Sequence, residues 1–126
     1  MINMKVSVAG VEFKNPVIAA SGTFGFGKEF ASLYDLSILG GISLKGLTVE
    51  RREGNAPPRI AETPSGMLNS VGLQNPGAEY FVRHDLPELR KYDTKLIANI
   101  NGNTAEDYCR VAEIMSAADV DMLELN

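Results

Sequence analysis

Lys45, Gly46, Asn99, Asn101 and Asn126 stand at or just past the ends of short apolar runs, and these residue types at those places can hold a ligand. Val17-Ile18-Ala19-Ala20 leads into Ser21-Gly22-Thr23, Gly41-Ile42-Ser43-Leu44 into Lys45-Gly46, Leu96-Ile97-Ala98 into Asn99, and Met122-Leu123-Glu124-Leu125 into Asn126. Runs that are apolar almost throughout read as parallel strands buried on both faces, in which Glu124 needs a partner. In parallel α/β folds the C-terminal strand ends share one rim, so residues far apart in sequence can converge there. Any one of them alone is an ordinary cap or turn residue. Four strands ending in the same way point to a site. Lys45 is the sharpest of the group: an ammonium at the mouth of a core can neutralise a carboxylate or an electron-rich ring, the plainer alternative being a snorkelling surface lysine.

A second polar constellation is the run Asn69-Ser70-Val71-Gly72-Leu73-Gln74-Asn75-Pro76-Gly77, which has no secondary-structure period. Its amides offer paired donors and acceptors, its glycines permit close backbone approach or positive φ, and Leu73 supplies an apolar wall. The run suits a flat, polar, small ligand. Asn-Pro-Gly is also strong turn chemistry by itself.

The elements that must carry these residues alternate. Val6 to Phe13 alternates polar and apolar side chains around Gly10 and predicts an opening hairpin. Helical candidates follow at Phe30 to Leu36, at Ala78 to Lys91 with an interruption near Pro87, and at Ala105 to Ala117. In the last of these Tyr108, Val111, Ala112 and Met115 fall at helical spacing, and Thr104 with Asp107 three residues on forms a capping-box pattern. Strand and helix in alternation imply a parallel α/β architecture, either a barrel or a doubly wound open sheet. Residues from about 48 to 76 break this rhythm with four of the six prolines and the charged Glu50, Arg51, Arg52 and Glu53, as an insertion of irregular or hairpin structure does. Ile60, Met67, Leu68 and Val71 favour a packed loop there, and loops of that length in compact domains are commonly functional.

Composition narrows the function classes. With 126 residues and 44% hydrophobic content the chain suits one domain. Twelve basic against sixteen acidic residues, with no basic stripe, disfavour nucleic-acid binding. No apolar run is long enough to span a membrane, and the single cysteine, Cys109, excludes an internal disulfide framework and a cysteine-based zinc site; a reducing cytoplasm and a core position for Cys109 are expected. No paired carboxylates and no Ser, His and acid grouping join the strand ends, which disfavours glycosidase-like and triad chemistry. Gly22 to Lys28 has phosphate-loop spacing, but Glu29 stands where a magnesium-binding Ser or Thr is required, and Phe30 replaces the third glycine of a dinucleotide fingerprint. His84, flanked by Arg83 and Asp85, is expected on the surface without chemistry.

Ala20-Ser21-Gly22-Thr23-Phe24-Gly25-Phe26-Gly27, Lys45-Gly46-Leu47-Thr48, Gly54-Asn55-Ala56-Pro57-Pro58-Arg59-Ile60, Glu62 to Gly77 and Leu123-Glu124-Leu125-Asn126 together resemble the dihydroorotate dehydrogenases, over the whole chain. The Lys-Gly-Leu-Thr form and the Glu-Thr-Pro-Ser-Gly-Met-Leu-Asn run resemble the catalytic subunit of the NAD-dependent two-subunit type. The resemblance implies a TIM (β/α)8 barrel holding FMN at its C-terminal rim and oxidising dihydroorotate to orotate in pyrimidine biosynthesis. It implies FMN contacts from Ser21, Lys45, Gly46, Asn99 and Asn126. It implies substrate contacts from Lys45, Asn69, Ser70, Val71, Gly72, Leu73 and Asn126, and no metal site. It further implies an iron-sulfur flavoprotein partner carrying FAD and a [2Fe-2S] cluster, with a homodimer of catalytic subunits inside a heterotetramer. The family's general base is a cysteine in an Ile-Ser-Cys-Pro-Asn run after the Leu-Asn pair, so no catalytic residue is assigned within 1–126, and Cys109 in mid-helix does not substitute. A barrel takes about 250 residues. These residues are therefore expected to be the N-terminal half of one barrel domain: the hairpin, about four β/α units and the insertion. Alone, the segment is expected to be inactive and to hold FMN weakly. A related dihydropyrimidine dehydrogenase-type flavin barrel and a non-catalytic half-barrel assembly module are the alternatives.

Overall fold

The computed structural model describes residues 2–126. The opening hairpin forms as its alternation predicts, with β1 (Val6–Val8) antiparallel to β2 (Val11–Phe13). Ala9 and Gly10 turn the chain at φ +47° and +83°, the doubly positive geometry that matches strand twist in tight hairpins. The hairpin delivers Phe13, fully buried, onto the start of the second parallel strand. A Cβ on Gly41 would lie 2.9 Å from the Phe13 ring, so that glycine makes room for the aromatic plug.

Four strands follow in parallel, β3 (Ile18–Ala19), β4 (Gly41–Ser43), then β7 (Lys95–Ile100) and β8 (Met122–Leu125), each beside the next in that order. A doubly wound sheet reverses its strand order at a switch point, whereas a barrel advances in one direction. This sheet advances without reversal and is not closed, as a partial barrel is. Glu124 finds the partner its position demands in the hydroxyl of Ser43, which donates to its carboxylate across the sheet. Leu125 remains three-quarters exposed beyond it, on a strand with no outer neighbour among the described residues.

The helices depart from expectation where local chemistry outweighs periodicity. Ser21–Phe24, which begins with the polar residues that follow the first apolar run, forms the single turn α1, stopped by Gly25 at φ +60°. The segment expected to be helical from Phe30 to Leu36 divides into α2 (Lys28–Ala31) and a 3-10 turn over Leu36–Ile38, because the Asp35 carboxylate accepts the Ser37 N–H and caps a new start. Its aromatic residues serve packing instead, the Phe24 and Phe30 rings stacking at 4.3 Å. The helical material before Lys91 breaks at Asp85 into α3 (Ala78–His84) and α4 (Leu86–Leu89), and Pro87 sits in the first turn of α4, where a missing N–H costs nothing. Helix α5 (Ala105–Ser116) carries the predicted reciprocal cap, Asp107 N–H donating to Thr104 Oγ1 at 3.2 Å and Thr104 N–H to Asp107 Oδ2 at 3.2 Å. It buries Val111 and Met115 completely against the sheet.

Two further expectations fail. The insertion does form a hairpin, β5 (Ile60–Thr63) with β6 (Gly66–Asn69), but all eight of its residues are exposed, and Ile60, Met67 and Leu68 keep 58%, 60% and 66% of their surface. It is ordered by its backbone ladder and not packed onto the core. Cys109 is likewise exposed rather than buried, since α5 turns it away from the Val111 and Met115 stripe. No helix among the described residues is long and apolar enough to cross a membrane.

At the N-terminal end of the sheet, Asp121 ties β7 to β8. Its Oδ2 accepts the Leu96 N–H at 2.9 Å and its Oδ1 accepts Lys95 Nζ at 2.8 Å, with Arg90 at 2.9 Å. Burial acts most strongly on this carboxyl and opposes its ionisation. The hydrogen bonds from Lys95, Leu96 N–H and Arg90 together outweigh it and hold the pKa below the ordinary aspartate value. A carboxyl with a depressed folded pKa contributes stability that is complete above its unfolded pKa of about 3.9 and is lost as pH falls through the lower folded value. Asp121→Asn should therefore lower the thermal midpoint near neutral pH, with the gap to the unsubstituted protein closing below about pH 4. A gap independent of pH would exclude this role.

Candidate functional site

The C-terminal ends of β4, β7 and β8 come together through amides. Asn99, near the end of β7, is only 2% exposed, and its Oδ1 accepts Asn101 Nδ2 at 2.9 Å and Asn126 Nδ2 at 3.2 Å. Backbone pairing continues past the strands, with Leu47 N–H donating to Asn99 O at 2.9 Å and Asn101 N–H to Leu47 O at 2.8 Å. Tyr108 on α5 holds the end of β8 by donating its hydroxyl to Asn126 O. Gly46 lies against the same amides: a Cβ there would come within 2.5 Å of Asn101 Nδ2, 2.9 Å of Asn99 Oδ1 and 2.9 Å of Leu73 Cδ1. Four sequence-predicted residues, Gly46, Leu73, Asn99 and Asn126, thus form one cluster.

Leu73 reaches that cluster in an unusual backbone state, φ +54°, directly after Gly72 at φ +78°. A branched side chain in the left-handed region is costly and persists where surrounding structure fixes it. Asn75 supplies that fixation. It is 4% exposed, donates from Nδ2 to Leu73 O at 2.9 Å and to Thr48 Oγ1 at 3.0 Å, and accepts the Gly77 N–H at 2.9 Å. Gln74 is engaged as well, its Oε1 accepting Arg59 NH1 at 2.8 Å. Two of the three amides that made the Asn69 to Gly77 run look like a ligand cradle are therefore spent inside the protein.

A cleft of about 640 Å³ is lined among others by Ser21, Lys45, Val71, Arg51, Arg52 and Tyr80; Lys45 and Gln74, chain neighbours of Gly46 and Leu73, reach it, but no member of the cluster does. Lys45 N–H is fixed to Gly25 O at 2.9 Å, while its ammonium has no ion-pair or hydrogen-bond partner among the described residues. Arg51 is paired with Glu53 at 2.6 Å, which leaves Lys45 and Arg52 as the cleft's cations without an ion-pair partner among the described residues. Ser21 and Lys45, predicted from strand ends, share this cleft with Val71 from the insertion. Asn69, Ser70 and Gly72 do not line it. Asn69 ends β6 opposite Ile60 with its side chain exposed; Ser70 is held by Arg59 and Asn55, its N–H donating to Arg59 O at 2.8 Å and its Oγ accepting Asn55 Nδ2 at 2.9 Å. Gly72 passes so close that a Cβ would meet Asn55 at 2.7 Å.

The other tempting residues are accounted for elsewhere. Lys28, last residue of the phosphate-loop spacing, pairs with buried Asp85, whose hydrogen bond holds the ammonium above the ordinary lysine range. His84 packs against Tyr80 with ring centroids 4.3 Å apart and the rings tilted by 37°. No cluster of metal-ligating side chains occurs among the described residues. Asn101, read from sequence as a strand-end ligand residue, is spent on the Asn99 oxygen, and Asn75, read as part of the polar run, is spent on Thr48 and Leu73.

A sheet whose strand ends offer clustered amides beside a cleft with cations unpaired among the described residues suits a ligand rich in acceptors. Residues 3–126 match the family model described as dihydroorotate dehydrogenase.

The chain belongs to the dihydroorotate dehydrogenase family.

Within that family it is similar to the dihydroorotate dehydrogenase B (NAD(+)) catalytic subunit of Alkaliphilus metalliredigens, 58% identical over 99% of this chain and 41% of the relative. The protein of the same name from Petrotoga mobilis is 56% identical over 100% of this chain and 42% of the relative. The chain spans about two fifths of the length of these members of the dihydroorotate dehydrogenase family.

Proposed function

We propose that the polypeptide to which this rim belongs oxidises dihydroorotate to orotate in pyrimidine biosynthesis, with FMN on the rim. The observation that carries this reading is the convergence of the Asn99, Asn101 and Asn126 amides at the strand ends against Gly46, in a chain of the dihydroorotate dehydrogenase family. Bound FMN supplies the hydride acceptor for this reaction. Ser21, Lys45, Gly46, Asn99 and Asn126 would hold it, the missing Cβ of Gly46 letting the Asn99 and Asn101 amides close together on the rim while Lys45 supplies positive charge. Lys45 also balances the substrate carboxylate. Leu73, fixed by Asn75, provides an apolar wall that excludes water from one face, and Asn69 to Gly72 grip the substrate together with Asn126. The base that takes the substrate proton is not among residues 2–126, since Cys109 lies exposed in the middle of α5. Electrons leave to NAD through an iron-sulfur flavoprotein subunit carrying FAD and a [2Fe-2S] cluster, in a cytoplasmic heterotetramer built on a homodimer of catalytic subunits.

Steady-state assays of the complete protein with dihydroorotate, dihydrouracil and dihydrothymine test the substrate. Turnover of dihydroorotate at least tenfold above the other two is the expected result. Preference for either carboxylate-free compound would replace this reading with that of a dihydropyrimidine dehydrogenase.

A further inference from the structure

The Asn99 side chain is almost wholly buried, and its amide is asymmetrically used. A carbonyl oxygen has two lone pairs, and both of those on Asn99 Oδ1 are taken, one by Asn101 Nδ2 at 2.9 Å and one by Asn126 Nδ2 at 3.2 Å. The opposite end of the amide, Nδ2, has no acceptor among the described residues. No side-chain nitrogen or oxygen there is both fully buried and unpartnered, so Asn99 Nδ2 keeps a small exposed surface. A donor pair so sheltered and without a protein acceptor is available to an acceptor atom supplied by a ligand.

We propose that Asn101 is a positioning residue: by donating to Asn99 Oδ1 it sets the orientation of the Asn99 amide, so that Asn99 Nδ2 presents its donors to an acceptor atom of the bound ring system. Asn126 makes the second donation to the same oxygen, but it ends β8 in an exposed position and is itself a ligand contact, whereas Asn101 is half-buried and braced by its own N–H on Leu47 O. Gly46 leaves the space in which the Asn101 amide lies. The inference rests on the reading that FMN occupies the rim.

Asn101→Asp in the complete protein tests it, because a carboxylate cannot donate. Facing Asn99 Oδ1 it repels; the Asn99 amide then turns its Nδ2 toward the new carboxylate and its oxygen toward the ligand. The expected result is at least a tenfold rise in the FMN dissociation constant and a displaced flavin absorption band, with an unaltered thermal midpoint of the apoprotein. Asn101→Ala, which removes the brace without inverting the amide, should weaken FMN less. In an Asn99→Ala background the effect of Asn101→Asp should largely vanish, as for residues acting in series. Wild-type FMN affinity and spectrum in Asn101→Asp, or an undiminished effect in the Asn99→Ala background, would overturn the proposal. Absence of FMN binding by the unsubstituted protein would overturn the flavin reading instead, and this inference with it.

Discussion

Lys45→Ala in the complete protein is expected to lower dihydroorotate turnover more than tenfold while the fold stays intact. The reason is positional. Lys45 stands two residues past β4, its backbone N–H is pinned to Gly25 O at 2.9 Å, and the residue lines the cleft shared with Ser21 and Val71. No carboxylate pairs with it among the described residues, in contrast to Lys28 with Asp85 or Lys95 with Asp121. Removing a paired cation leaves an unpaired anion and destabilises the protein, whereas removing Lys45 leaves the fold without such a debt. A tenfold loss corresponds to about 1.4 kcal/mol of transition-state stabilisation, modest for a charge beside a carboxylate and a flavin. Circular dichroism and the thermal midpoint report the fold, steady-state kinetics the function. Unchanged turnover would refute the role.

Gly46→Ala is expected to weaken FMN binding by about ten- to a hundredfold. The added methyl would stand 2.5 Å from Asn101 Nδ2 and 2.9 Å from both Asn99 Oδ1 and Leu73 Cδ1. These neighbours cannot all withdraw. Asn99 is buried between two donors, and Leu73 is locked at φ +54° by the Asn75 bonds. Overpacking of this kind costs about 1–3 kcal/mol, which falls on the seat itself. Gly66→Ala is the control, because a methyl on that exposed strand meets nothing closer than Thr63 Oγ1 at 3.8 Å. Fluorescence titration of FMN into the three apoproteins checks it; equal affinities for Gly46→Ala and the unsubstituted protein would show that the packing around Gly46 does not shape the FMN site.

Much of this was legible because the signals were local or periodic. The hairpin over Val6 to Phe13 needed only alternation and a glycine turn, α5 only its cap and stripe, and the four parallel strands only their unbroken apolar content. The convergence of Gly46, Asn99 and Asn126 followed from one topological rule about strand ends. What was not legible depended on partners far along the chain. Nothing local distinguishes Asn75, consumed by Thr48 and Leu73, from Asn69, left exposed at the end of β6. The apolar residues Ile60, Met67 and Leu68 suggested packing, yet the β5–β6 ladder satisfies the backbone while leaving those side chains in solvent. Asp35 reshaped the predicted second helix through a single hydrogen bond to Ser37. The direction of the Asn99 amide is set by two residues from different segments, and no spacing encodes it.

The most direct test of the account is an anaerobic half-reaction. Mixing the complete, FMN-loaded catalytic subunit with dihydroorotate in the absence of NAD should bleach the oxidised flavin band and yield orotate, one per flavin. A flavin that stays oxidised under these conditions would contradict the assignment of this rim to dihydroorotate oxidation.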